Sequence, residues 1–330
     1  MRRALLAIDV GGSTSRAFLV DFSGNVLGFG RAPGGNPASN DPGFAAGSII
    51  AAVEAAVAEA GEPLDIAIAQ IALAGPQKHV ALDRLEAAFR AVGLHGAIVF
   101  AGDLSAMFAS ATPAADGYCI VAGTGAGAVR VRHHRVDRVA DAAGWLLGDL
   151  GSGYWLGHQA ARAAVADFDG RGPRTALTRA ITDHFDIIWS EDRAGDSRPA
   201  PLRALTDAVY GMRPIELAQL APVIFAHRDD PVAAGLIKGA EDYLVSDFRT
   251  VFDPAMAGPV ALGGGVIAHL TDLPRRVAEI VQTAGRTAEI RPVLDGSVGA
   301  IVLALRASGV TVDEAMFQNV AASVAGRSRR

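Results

Sequence analysis

The apolar positions along the chain follow two rhythms. Runs such as "LLAIDV" at 5–10 and "AFLVDF" at 17–22 are continuous and rich in branched residues, which predicts buried strands. "GGSTSR" separates these two, and "SGN" leads into a third run, "VLGFGRA" at 26–32, so the chain opens as a meander of hairpins. The second rhythm is helical. Residues 41–61 start on Asp-Pro, repeat apolar positions at helix spacing and end on glycine. A strand "IAIAQIALAG" (66–75), a helix "HVALDRLEAAFRAVG" (79–93), a strand "GAIVFAGD" (96–103) and a helix "LSAMFASAT" (104–112) complete the first part.

A break over 113–117 precedes a restart. "YCIVAGTGAGAVRVRHHRV" at 118–136 is again strand, glycine turn, strand, roughly a hundred residues after the first such hairpin. "GWLLGDLGSGYWLGHQAARAAVADF" (144–168) reads as a loop running into a helix, and a polar, proline-bearing interval at 190–203 leads to helices through residue 250. "VALGGGVIAHLTDLPRRVAEIVQTAG" (260–285) is strand, triple glycine and helix, and "DGSVGAIVLALRASG" (295–309) is a further helix. The predicted class is α/β, in two similarly begun halves.

Composition narrows this picture. In 330 residues, 50% are apolar and only 6% aromatic, enough for two cores with close helix–sheet packing. A net charge of −5 with scattered basic residues gives no footprint for nucleic acid, and the basic end "GRSRR" reads as solvated. Cys119 is the only cysteine, which excludes an internal disulfide and an all-cysteine metal or iron–sulfur site within one chain. No apolar run is expected to reach the ~18–20 residues that span a bilayer. The apolar stretch after "MRR" stops at Asp9, too short for a signal peptide, so a cytoplasmic protein is expected.

The glycine loops decide the chemistry. A Walker loop carries a lysine and opens a helix, but "GGSTSR" has no lysine and a strand follows. "GTGAGA" fits a relaxed dinucleotide pattern, but "VRVRHHRV" after it alternates like a strand. Two glycine hairpin tips instead offer backbone N–H nests that together can grip the phosphates of one nucleotide.

Acid-x-Gly-Gly-Ser in the first hairpin, Gly-Thr-Gly in the second and Gly-Gly-Gly before a late helix resemble the sugar kinase, heat-shock chaperone and actin superfamily. Within it, "GWLLGDLGSGYWLGHQA" is similar to the N-acetylglucosamine kinase branch, grouped with the BadF/BadG/BcrA/BcrD ATPases. The resemblance implies a two-lobed actin-like ATPase fold of duplicated ribonuclease H-like domains, with nucleotide and sugar in the cleft. Residues 1–114 and 115–309 are the expected lobes, with 310–330 returning to the first. It further implies ATP and Mg²⁺, a small-molecule sugar substrate, and a homodimer without nucleic acid or membrane partners.

Candidate residues follow. Asp9 ends the first strand, where the resemblance assigns support of Mg²⁺ through water; a carboxylate facing triphosphate needs a cation between them. Gly11, Gly12, Ser13 and Thr14 form the first phosphate tip, and Gly123, Thr124 and Gly125 the second. Gly263, Gly264 and Gly265 would let adenosine lie against backbone. Asp103 ends a strand and begins a helix, and the family's catalytic acid matches it: a general base that takes the proton of the attacking hydroxyl. Asn36, Asp103, Gly144, Trp145 and Asp149 match sugar-contacting positions.

Leu150 departs from the family's usual Gly-Asp-Glu-Gly-Ser, removing a charge beside the sugar site. The expected reaction is phosphorylation of the 6-hydroxyl of N-acetylglucosamine, with glucosamine or another hexosamine as alternative. An ATPase activator or nucleotide-dependent regulator without sugar activity is the alternative of another class; iron–sulfur activators of that kind carry two cysteines per chain.

Overall fold

The computed structural model describes residues 1–37, 40–73, 75 and 80–328. Parts of four predicted segments lie outside them: 38–39 of the Asn36 loop, Ala74 of the strand at 66–75, the first residue of the helix at 79–93, and the last two basic residues. The chain starts as the expected meander, β1 (Arg2–Val10), β2 (Thr14–Val20) and β3 (Val26–Pro33). Helix α1 (Pro42–Ala60), β4 (Leu64–Leu73), α2 (Leu82–Ala91), β5 (Ile98–Gly102) and α3 (Asp103–Ala111) follow. The second meander is β6 (Gly117–Ala122), β7 (Ala126–Arg132) and β8 (Arg135–Asp141). A helical region comes next: α4 (Gly153–Phe168), α5 (Ala176–His184), α6 (Ala200–Tyr210), a 3-10 turn over Pro214–Leu220, α7 (Ala221–Ala226) and α8 (Pro231–Val251). Then come β9 (Val260–Gly263), α9 (Leu273–Thr283), β10 (Ile290–Val293), α10 (Ser297–Ala307) and α11 (Glu314–Ser328).

The two sheets are duplicates in topology. The first has the order β3-β2-β1-β4-β5, and the second, read from its other edge, β8-β7-β6-β9-β10. In each, three antiparallel strands are extended by two parallel ones. β1 shows how the sequence dictates this: Ala4, Leu6, Ile8 and Val10 face a core shared with α1 and α2, while Leu5 and Ala7 face one shared with α10 and α11. Alternate side chains of a central strand point to opposite faces, so an apolar run is what a strand covered on both sides requires.

Helix α3 lies between the sheets. Ala106 and Ala109 belong to the core of the first sheet, and Met107, Phe108 and Ala111 to a core with Cys119, Val129 and Ala261 of the second. Its first residue, Asp103, is thereby held where the two halves meet.

Asp41 caps α1 by accepting from the Gly43 and Phe44 amides, Pro42 occupies the first turn, and Gly61 ends the helix in the left-handed conformation. Contrary to the expectation from the sequence, α1 is long and apolar enough to cross a membrane by length and composition. It instead buries Ala45, Ile49, Ala52, Val53 and Ala56 in the first lobe. Two strands escaped the pattern reading. β8 is a charged edge strand, and β10 has four residues, one of them proline.

Candidate active site

Three carboxylates lie near the junction of the two sheets: Asp9 and Asp103 at element ends, and Asp149 on the loop between β8 and α4. Asp9 is the next-to-last residue of β1 and is 7% exposed. Hairpin register places Arg16 opposite it, and the guanidinium donates to its carboxylate at 3.2 Å. The same arginine reaches Asp295 at 3.5 Å. The start of α10 presses in as well: a Cβ on Gly296 would lie 2.6 Å from Asp9 Oδ1, so only glycine fits. Burial, then the charge of Asp295, push the Asp9 carboxyl up to about 7; Arg16 opposes them, and Asp103 adds to the rise.

Asp103 accepts a hydrogen bond from the Leu104 amide at 2.9 Å. Burial pushes its carboxyl up to about 6, against that bond and with help from the charge of Asp149. Among the described residues no lysine, arginine or histidine forms an ion pair with Asp103. Asp149, 8% exposed, accepts from the Ala126 amide at 3.2 Å, beside the second hairpin tip. A Cβ on Gly125 would lie 2.9 Å from its carboxylate, so that tip must carry glycine there. Burial also pushes Asp149 up to about 6. The charge of Asp103 thus acts on Asp9 and that of Asp149 on Asp103, linking acids from β1, α3 and the loop before α4 in the kind of perturbed cluster found at reacting centres.

The tips themselves are tight turns. The Gly11 amide donates to the Thr14 carbonyl at 2.9 Å, and the Gly123 amide to that of Gly125 at 2.9 Å. The second tip is tied to α4, whose Gly153 and Tyr154 amides donate to the carbonyls of Gly123 and Thr124 at 2.8 and 3.2 Å. A cleft of about 990 Å³ opens between the tips, lined by Gly12 and Ser13 from the first, Thr124 from the second, and Gly34, Asn40 and Arg213. That volume is at the upper end of the usual small-molecule range. Asp9, Asp103 and Asp149 are not among the residues that line it.

Other predicted positions are placed as follows. Gly263 is buried at the end of β9, and a Cβ there would meet Met107 at 2.2 Å. Gly264 has φ +101° and turns against the Ala122 carbonyl, while Gly265 faces open space. Asn36 is half-buried, and its carbonyl accepts from the Asn40 amide group at 3.0 Å. Gly144 is exposed with φ +82°. Trp145 packs edge-on against Tyr154, with ring centres 5.7 Å apart, so its indole belongs in part to the second core. Ser152 caps α4 by accepting from the Trp155 amide at 3.1 Å.

Sequence reasoning missed three contributors. Arg16 could have been found from hairpin register alone. Asp295 lies in a quoted segment but becomes a neighbour of Asp9 only through the return of α10. Arg213 donates to Asn40 Oδ1 at 2.8 Å across the cleft, a contact between residues 173 apart with no local signal.

The acids suit a divalent cation. Asp9 is buried, repelled by two other carboxylates and only partly compensated by Arg16, so a cation would relieve it. Among the described residues no three acidic, histidine or cysteine side chains form a cage. An ion there would take most ligands from water and phosphate, which is the habit of magnesium.

The comparisons with known proteins agree with this architecture. The chain is 31% identical over 175 residues to an N-acetylmuramic acid/N-acetylglucosamine kinase of Clostridium acetobutylicum, covering 51% of this chain and 53% of the relative. It is 26% identical over 197 residues to an N-acetyl-D-glucosamine kinase of Dictyostelium discoideum, covering 57% and 59%. The chain spans about half the length of the curated relatives it matches. A candidate N-acetylglucosamine kinase from Chromobacterium violaceum has the same fold, with a TM-score of 0.71 at 24% identity over 92% of this chain and 99% of that one. The model of the BadF/BadG/BcrA/BcrD ATPase family matches residues 6–304, and the chain belongs to that family.

Proposed function

We propose that the protein is an ATP-dependent amino-sugar kinase that phosphorylates the 6-hydroxyl of N-acetylglucosamine or a related hexosamine. The observation that carries this reading is Asp103: a carboxylate held between both sheets, free of any cationic partner among the described residues and with its pKa raised to about 6. A structural acid in such a place would be paired; a general base must keep a lone pair for its substrate and titrate near working pH. The names of the two kinase relatives support the sugar class.

In this reading the tips at 11–14 and 123–125 hold the nucleotide phosphates through backbone amides and the Ser13 and Thr124 hydroxyls. The open face at Gly265, at the end of the Gly263–Gly264–Gly265 turn, takes the adenosine. Asp9 would hold magnesium, and the ion, when bound with nucleotide, would supply neutralisation of phosphate charge. Asn36, Asp149 and the loop at Gly144 and Trp145 orient the sugar. Asp103 accepts the proton of the 6-hydroxyl as that oxygen bonds to the γ-phosphorus. The bond from phosphorus to the bridging oxygen of ADP breaks, and the proton stays on the Asp103 carboxyl until solvent removes it.

The first lobe in this proposal is residues 1–114 with α10 and α11, because Ile301, Leu305, Phe317 and Val320 share a core with Leu5 and Phe18. The return to the first lobe then begins near residue 297 rather than 310. An iron–sulfur activator role lacks ligands: Cys119 is the single cysteine, fully buried, and burial drives its thiol pKa upward. The same reading places the enzyme in the cytoplasm as a homodimer, which light scattering tests against the 33.9 kDa chain mass.

The test is a panel of hexosamines with ATP, the product read by phosphorus NMR. A 6-phosphate ester formed from an amino sugar is expected. ATP hydrolysis indifferent to every sugar would refute the reading.

A further inference from the structure

We propose that Asp141 is the positioning residue of the sugar site: its carboxylate holds the loop that carries Asp149 in the one conformation that brings it to the second hairpin tip. This rests on the kinase reading above. Asp141 is the last residue of β8. Its Oδ1 accepts from the Asp149 amide at 2.7 Å, and its Oδ2 from the Leu150 amide at 2.8 Å. A longer bond, 3.4 Å, comes from the Ala143 amide. One side chain thus gathers both ends of an eight-residue excursion.

The loop needs such a post. Asp141, Ala142 and Asp149 have φ of 58°, 55° and 55°, a left-handed backbone that non-glycine residues hold only where surroundings enforce it. Leu146 and Leu147 are 73% and 83% exposed, so between Trp145, which packs on Tyr154, and Asp149 no apolar burial anchors the loop. Gly148 is shaped to the carboxylate, since a Cβ there would lie 2.0 Å from Asp141 Oδ1. Asp149 is consequently fixed from both sides, its amide on Asp141 and its carboxylate on the Ala126 amide. Among the described residues the Asp141 carboxylate accepts only from amides of its own loop, so its influence reaches the reaction through Asp149.

Leu150 takes part through its backbone amide alone and is 37% exposed. The loop is held by a carboxylate on the neighbouring strand.

The experiment compares the full chain with Asp141→Asn, Asp149→Asn and the double variant. It measures sugar affinity by calorimetry and KM for sugar and for ATP. Asp141→Asn replaces one acceptor with a donor that opposes a backbone N–H. Sugar KM and Kd should rise about tenfold, with ATP KM changed less than about twofold. Adding Asp141→Asn to Asp149→Asn should cost less than about a further twofold, because the first acts through the second. Equal losses in both backgrounds, or unchanged sugar affinity in a wild-type-like fold, overturn the inference. Should the variant not fold, hydrogen exchange of the unaltered protein decides: slow exchange at the Asp149 and Leu150 amides is expected, and rapid exchange contradicts it. If the unaltered protein binds and phosphorylates no sugar, the kinase reading is at fault, and the same exchange measurement still reports whether Asp141 holds the loop.

Discussion

The two glycine hairpins share strand order, register type and a tight tip, yet they are equipped differently. In the first, the acid is part of the hairpin: Asp9 sits next to the strand's end, paired with Arg16 across the register. In the second, Val121 occupies that next-to-last position, and the acid arrives from outside, as Asp149 on the loop after β8. Duplication supplies a symmetric frame with two tight glycine tips. The asymmetry is in the added carboxylates, which the proposed function assigns to different tasks, Asp9 to a cation at the phosphates and Asp149 to the sugar. Asp103 belongs to neither hairpin and lies on the helix both lobes share.

The largest effect falls on the shared element. Asp103→Asn should lower kcat by about 10²–10⁴-fold while ATP binding, measured by calorimetry, stays near wild type. The hairpin acids should then separate. Asp9→Asn is expected to reduce turnover by about 10²-fold and weaken the dependence on magnesium, with sugar affinity unchanged. Asp149→Asn should raise sugar KM by about tenfold and leave magnesium dependence alone. Matching phenotypes for the two would erase the functional distinction between the hairpins.

Titration gives a smaller effect. Asp103 must be unprotonated to accept a proton, so kcat/KM should fall as pH drops through about 6. Asp149 raises Asp103 through its charge, and Asp149→Asn should move that acid limb to lower pH. A limb that stays in place would detach the two acids from each other.

The effect on stability has the opposite sign to that on activity. Asp9 is raised from its ordinary 3.8 to about 7, so the folded state holds its proton more tightly than the unfolded chain. Its contribution is complete below pH ~4 and is lost as pH rises through about 7. Metal-free Asp9→Asn should therefore be more stable than wild type at pH 8, by on the order of 1–4 kcal/mol, and show no such gain at pH 4. Thermal melts with a chelator check this; equal melting at pH 8 would mean that the wild-type carboxylate carries no burial cost.

Much of the frame could be read from residue order. The helix at 42–60 announced itself through Asp41, Pro42 and Gly61, and both meanders through apolar runs around glycine. β8 and β10 could not be seen because their residues lack the apolar signal that a covered strand carries. The return of α10 and α11 to the first sheet is tertiary: Ile301 and Val320 look like ordinary helix core until Leu5 and Phe18 are seen against them. The site was legible where strand ends carry acids, at Asp9 and Asp103. It was illegible where one side chain sets another from a distance in sequence. Asp141 shows nothing in its local sequence that marks it as the anchor of residues 149 and 150, and Arg213 nothing that points to Asn40.

The central claim is that ATP turnover here is sugar phosphorylation with Asp103 as base. The most direct measurement is the ratio of ADP to sugar phosphate formed by wild type and by Asp103→Asn, with and without N-acetylglucosamine or glucosamine. One sugar phosphate per ADP, little ADP without sugar, and loss of both products in the variant are predicted. ADP released at the same rate whether or not any hexosamine is present, or a fully active Asp103→Asn enzyme, would contradict it.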